Sequence, residues 1–163
     1  MHGAKEDPLN FVSRYALAMS FFALDRLHDA ETEAKKVLEF DENHPWALTL
    51  LALIYAHQKK WEKARYCAEK ASPSPGWTEG ALAGILRQIG EKKLAEEIIH
   101  KPLQSKNAAM ATYYYICGDI QKTKDWMIKV IEDRSPAAGQ LALMFLGSSP
   151  QWPEIAKLMN LPE

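Results

Sequence analysis

The chain has 163 residues, of which 47% are hydrophobic, and its formal net charge is -1. A chain of this length can bury a substantial core, so we expect one domain over residues 1–163. The near-zero charge disfavours nucleic-acid binding, which requires many phosphates to be neutralised. The longest apolar runs, residues 15–24 and 48–56, are about half as long as a membrane span requires, and no apolar signal segment opens the sequence. We therefore expect a cytoplasmic protein with no membrane or nucleic-acid partner.

Residue types that carry chemistry are sparse and scattered. Cys67 and Cys117 are too far apart for a zinc motif, and the histidines do not show the His-x-x-x-His spacing. The sequence contains neither a glycine-rich phosphate loop nor a Gly-x-Ser-x-Gly nucleophile motif. We therefore expect no metal, no cofactor and no enzymatic activity.

Helix caps and helix breakers predict four helices in the first half. Asp7-Pro8 begins the first, which extends to about Leu24, and its partner covers about residues 27–40. Pro45 begins the third helix, which extends to about residue 58, and the fourth covers 61–71. The segment 72–76, with Pro73 and Pro75, is the strongest break in the chain and predicts a kinked connection between helix pairs.

The second half continues in the same way. Helices are predicted at about 76–89, 91–101, 104–117 and 119–133, with Gly90 and Gly118 in the turns. Ser135 is a predicted N-cap, and Pro136 begins an apolar helix that reaches about Leu146. A short helix near 150–160 follows. Together the last two helices would cover the open end of a helix stack.

A repeat of about 34 residues links the first two helix pairs. Large apolar and alanine positions recur in register, because alanine lets two antiparallel helices approach closely. Leu17, Ala18, Phe21, Leu27, Ala30, Ala34 and Val37 recur as Leu51, Ala52, Tyr55, Trp61, Ala64, Ala68 and Ala71. Two further copies with altered spacing begin at Leu82 and Met110.

This pattern resembles the tetratricopeptide repeat family. The resemblance implies an all-α, right-handed α-solenoid of about four helix pairs with a C-terminal capping helix segment. The repeats would cover about residues 11–44, 45–75, 76–103 and 104–134, and the cap 135–163. The tail, from Gly118-Asp119 to Met159-Asn160-Leu161-Pro162, is similar to the C-terminal repeat regions of bacterial multidomain regulators. That similarity implies a bacterial protein and an N-terminal domain that this chain does not include.

In this family the first helix of each pair lines the concave face. The predicted first helices, counted over 11–24, 45–58, 76–89 and 104–117, carry 4 charged side chains. The second helices, counted over 27–40, 61–71, 91–101 and 119–134, carry 25, so the convex side is the solvated one. The family geometry places an apolar, aromatic set on the concave face: Val12, Tyr15, Met19, Phe22, Trp46, Thr49, Leu53, Trp77 and Tyr115. An apolar groove is typical of peptide recognition, so we expect an interaction module or scaffold that binds an apolar segment of a protein or peptide partner.

Other interpretations remain open. Some of these side chains could pack between helices instead of lining a groove. A structural or regulatory array is the alternative function, with its apolar face covered by a second copy or by a preceding domain. The first predicted helix favours this alternative, because it is apolar on nearly every side and Arg14 is its only charge. A homodimer is therefore expected if no preceding domain covers that helix.

One subtype of the family is not expected. Members that bind the C-terminal carboxylate of chaperones use lysine, asparagine and arginine side chains on the inner helices. Tyr15, Met19, Leu50, Gly80 and Gly84 occupy the matching places, and none of them can neutralise a carboxylate.

Overall fold

The computed structural model describes residues 8–72, 74 and 76–161, and these form ten α-helices without a strand. The predicted helix start at Asp7, the break prolines Pro73 and Pro75, and Pro162 of the tail lie outside the described residues. The helices are α1 (Pro8–Ala23), α2 (Leu27–Phe40), α3 (Pro45–His57), α4 (Trp61–Ala71), α5 (Trp77–Gln88), α6 (Lys92–His100), α7 (Lys106–Ile116), α8 (Ile120–Glu132), α9 (Ala138–Leu146) and α10 (Trp152–Leu158). The predicted all-helical, solenoid-like fold is confirmed.

The turn inside each helix pair has the same backbone geometry. One residue in each turn lies in the left-handed region, with φ of 58° at Asp25, 58° at Lys59, 93° at Gly90 and 78° at Gly118. In the first two pairs this residue is followed by an amide that donates back to the preceding helix, as from Arg26 to the carbonyl of Phe21 at 2.8 Å. Glycine adopts this conformation without steric cost, which explains the glycines of the third and fourth turns.

Small residues set the distances between helices. Ala30 and Ala64, one in each copy of the repeat, are completely buried. α5 and α7 approach closely, since a Cβ atom on Gly80 would lie 1.9 Å from the carbonyl oxygen of Ala109. The two backbones are therefore in direct contact, and only glycine fits at position 80 with this spacing.

The inner helices α3 and α5 are buried on almost every side. All residues from Ala47 to Ala56 are buried, including Thr49, whose hydroxyl lies 2.9 Å from the hydroxyl of Thr78 on α5. The Thr49 hydroxyl also donates to the carbonyl of Pro45 at 2.8 Å. Two buried hydroxyls thus satisfy each other across the α3–α5 contact, as buried polar groups must.

Helix α9 closes the inner face of the stack. It packs on α8, as a cap of the last pair is expected to do, and it also reaches α1 and α7. Phe145 of α9 stacks on Tyr115 of α7 with ring centroids 4.4 Å apart, and Phe22 of α1 lies 6.4 Å from the same tyrosine ring. Helices α1 and α9, from opposite ends of the chain, are therefore in contact, and side chains of α9 fill part of the concave face.

Candidate functional site

The residues predicted for the concave face separate into three environments. Met19, Phe22, Thr49 and Leu53 are buried in the core. Val12 and Trp46 are 60% and 51% exposed, respectively. Tyr15, Trp77 and Tyr115 are largely covered but line cavities. The continuous apolar surface expected from the sequence is thus interrupted, because some of its residues are buried in the core and others line two separate cavities.

Three of the predicted residues meet in one cavity of about 420 Å³, which we call the aromatic groove. Tyr15 comes from α1, Trp46 from the first turn of α3 and Trp77 from the first turn of α5. The rings of Tyr15 and Trp46 have centroids 6.2 Å apart and are inclined at 35°. The rest of the lining is Gly76, Ser105, Ala108, Ser135, Pro136, Ala137 and Gln140.

His44 supports the aromatic side of this groove. Its Nδ1 atom accepts a hydrogen bond from the backbone N–H of Ala47 at 3.3 Å and so caps α3. Its ring lies edge-on to Trp46, with centroids 6.0 Å apart, and 4.5 Å from the ring of Phe11. Burial lowers the pKa of His44, against an opposing effect of Asp41, and this favours the neutral form that can accept the capping bond.

The electrostatics of the aromatic groove favour hydrogen-bond acceptors. None of the described residues that line it carries a formal charge. Residues at the N-terminal ends of α3, α5, α7 and α9 all border it, so the partly positive ends of several helices lie beside it. The Tyr15 hydroxyl is protonated and able to donate at neutral pH, as in any tyrosine, and burial raises its pKa further.

A second cavity of about 260 Å³ lies at the other end of the inner helices. It is lined by Leu53, Ala56, His57, Tyr115, Ile116 and Ile120. Burial raises the pKa of Tyr115 to about 12, so this hydroxyl also stays neutral. His57 lies at the mouth, with its Nε2 atom 3.5 Å from a carboxylate oxygen of Asp25.

Sequence reasoning missed the part of the groove that comes from α7 and α9. Ser105 is the N-cap of α7 and Ala108 lies in its first turn, while Pro136 and Ala137 directly precede α9 and Gln140 lies in its first turn. The one available signal was the composition of α9, whose residues from Ala138 to Leu146 include no charge. A helix without a polar face is buried on more than one side, here against both α8 and α1.

Consecutive helix pairs that stack through small residues define an α-helical repeat protein. Residues 33–66, from α2 to α4, match the tetratricopeptide repeat family model. The match spans the length of one repeat, and over these residues it supports the resemblance to the tetratricopeptide repeat family predicted from the sequence. Comparison with curated proteins and with solved structures gives no match.

Tetratricopeptide repeats form a non-catalytic fold that generally mediates interactions between proteins. Within the described residues, no helix is long and apolar enough to cross a membrane. No group of three or more histidine, cysteine or acidic side chains in that part of the chain could hold a metal ion.

Proposed function

We propose that this protein is an interaction module that holds an apolar segment of a partner protein in the aromatic groove. The observation that carries the proposal is the convergence of Tyr15, Trp46 and Trp77, from three different helices, on one uncharged cavity. Tyrosine and tryptophan dominate the energetics of protein interfaces because they bury a large area at low entropic cost.

We assign partner contact to fewer residues than the sequence predicted. Tyr15, Trp46 and Trp77 contact the partner directly, while Met19, Phe22 and Thr49 hold the inner helices that carry them. Leu53 and Tyr115 belong to the second cavity, and Val12 is exposed on α1. Trp46 is the best anchor to test, because half of its surface is exposed and its truncation leaves the core intact.

The test is a selection of peptides from a displayed library on the purified protein, followed by affinity measurement. Removing an aromatic anchor costs about 2 kcal/mol or more, so Trp46→Ala weakens the selected peptides by at least about tenfold. Tyr66→Ala is the matched control, because Tyr66 is an exposed aromatic residue on the outer helix α4. Peptides that bind wild-type protein and Trp46→Ala equally well would contradict the proposal.

A self-associating array is the second candidate, and an exposed apolar strip favours it. Leu17 of α1, Leu24 in the turn after α1 and Leu143 of α9 are exposed, and Leu24 and Leu143 line one shallow cavity. Leu24 is 68% exposed, so Leu24→Glu tests the strip without burying a charge. Phe22→Glu is unsuitable because Phe22 lies in the core.

Light scattering coupled to size-exclusion chromatography tests this candidate. It predicts a dimer for the wild-type chain and a monomer for Leu24→Glu. A wild-type monomer at high concentration contradicts the dimer. The hypothesis to test is then that a further domain of a longer gene product covers the strip.

A further inference from the structure

We propose that the segment held in the aromatic groove is extended, contains proline and carries no positive charge. This inference rests on the proposed function and specifies the chemistry of its ligand. It follows from three properties of the groove, which are its size, its hydrogen-bonding groups and its dipoles.

The size of the groove favours an extended segment over a helix. An α-helix with its side chains is about 10–12 Å wide and needs a long open channel along the inner face. Helix α9 occupies part of that face, because Phe145 stacks on Tyr115 and α9 contacts α1. What remains is a cavity of about 420 Å³ at one end of the inner helices, which suits a few extended residues.

The polar groups of the aromatic side chains are donors without protein partners. An indole N–H can only donate, and the hydroxyl of Tyr15 is held in its protonated form. In the part of the chain that the structure describes, no hydrogen bond joins the side chains of Tyr15, Trp46 or Trp77 to another residue. A ligand that offers carbonyl oxygens and needs few acceptors in return complements this arrangement.

Proline-containing segments have this chemistry. A polyproline II segment makes no internal hydrogen bonds, so its carbonyls are free to accept, and proline itself has no N–H that would require an acceptor. Its rings pack on aromatic side chains, which is how aromatic-lined grooves bind such segments. Tyr15 and Trp46, with ring centroids 6.2 Å apart, supply neighbouring aromatic surfaces for this packing.

The helix ends around the groove exclude a positively charged ligand. Among the described residues, the N-cap side chains of α5, α7 and α9 make no hydrogen bond to the first turns of their helices. The partial positive charge of these helix ends favours acceptors over cations in the groove, whose described lining carries no charged residue. Lysine or arginine in the bound segment would be repelled, whereas carbonyl oxygens are attracted.

The test follows the indole N–H resonances of Trp46 and Trp77 in the ¹⁵N-labelled full chain, assigned with Trp46→Phe and Trp77→Phe. Three short synthetic peptides serve as probes: one of Ala-Pro-Pro repeats, one with every proline replaced by alanine, and one with lysine in place of alanine. We expect the proline peptide to shift both resonances saturably. The alanine and lysine versions should bind at least about tenfold more weakly.

Variants localise the effect. Trp46→Ala weakens binding of the proline peptide by at least about tenfold, while Tyr66→Ala leaves it unchanged. The inference is overturned if the alanine peptide or an amphipathic helical peptide binds as tightly, or if the proline peptide shifts neither resonance. The peptide selection described above separates these results from failure of the proposed function, because selected non-proline peptides that depend on Trp46 would leave that function standing.

Discussion

The contact between α5 and α7 yields the sharpest test of the packing, through the substitution Gly80→Ala. The added Cβ would lie 1.9 Å from the carbonyl oxygen of Ala109, 2.6 Å from its carbonyl carbon and 2.8 Å from its Cα. All three atoms belong to the backbone, so no flexible side chain can move aside. The helices must separate, and this would displace Trp77 and Ala108, which line the aromatic groove from these two helices.

The expected magnitude combines two opposing effects. Overpacking of a core typically costs about 1–3 kcal/mol, and a backbone clash belongs at the upper end of that range. Replacing glycine by alanine within a helix returns about 0.5–1 kcal/mol. We therefore expect Gly80→Ala to lower the free energy of unfolding by about 2 kcal/mol, equivalent to a melting temperature lower by about 4–8 °C for a chain of this size.

Urea unfolding followed by far-ultraviolet circular dichroism measures the effect. Gly139→Ala is the matched control, because Gly139 is also helical and a Cβ there meets no atom within 4 Å. This variant gains only the higher helix propensity of alanine, so its free energy of unfolding should rise by up to about 1 kcal/mol. If Gly80→Ala is as stable as wild-type protein, or if both variants shift in the same direction, the close approach of α5 and α7 is wrong.

Three further predictions concern other contacts. The lowered pKa of His44 means that the folded state binds this proton less readily than the unfolded chain, so stability falls as the pH drops below the unfolded pKa of about 6.5. His44→Asn keeps a capping side chain but does not titrate. Between about pH 7.5 and pH 5.5, the free energy of unfolding should therefore fall less in the variant than in wild-type protein, by up to about 1 kcal/mol. Equal losses in denaturation experiments would contradict this role. Thr49→Val should cost about 1–3 kcal/mol by leaving the Thr78 hydroxyl without its partner, whereas the double variant with Thr78→Val should recover most of that loss, and additive losses in urea unfolding would refute the pairing. Phe145→Ala should lower the free energy of unfolding by about 3–5 kcal/mol through loss of the stacked ring on Tyr115, and a loss under about 1 kcal/mol would show that α9 is not held there.

Local features of the sequence predicted the helices, except that α9 begins at Ala138 with Ala137 at its N-cap, and not at Pro136 after a Ser135 cap. Pro45 and Trp61 begin helices where the caps indicated, and the period correctly placed Ala30 and Ala64 at buried helix contacts. These features depend on residues a few positions apart, or on one repeat compared with the next. Their physical causes, capping and close packing at alanine, act locally and leave a readable pattern.

The candidate site could be predicted only in part. Trp46 and Trp77 lie in the first turns of inner helices, and with Tyr15 they do line one cavity. The closure by α9 could not be predicted, because it depends on how the curvature of several helix pairs adds up along the chain. Phe22 and Leu53, expected on an open face, are buried in the core.

The contact of α1 with α9 also changes how the array should unfold. Open repeat arrays contact only their neighbours, so their ends can fray independently. Here residues more than a hundred positions apart are joined, which adds a large loop-closure cost to folding and ties the two ends into one cooperative unit. Truncation after α8 would therefore loosen α1 as well. The aromatic groove crosses the α1–α9 contact, from Tyr15 on α1 to Gln140 on α9. A bound segment would therefore hold the two ends of the chain together, and its binding would raise the free energy of unfolding of the whole chain.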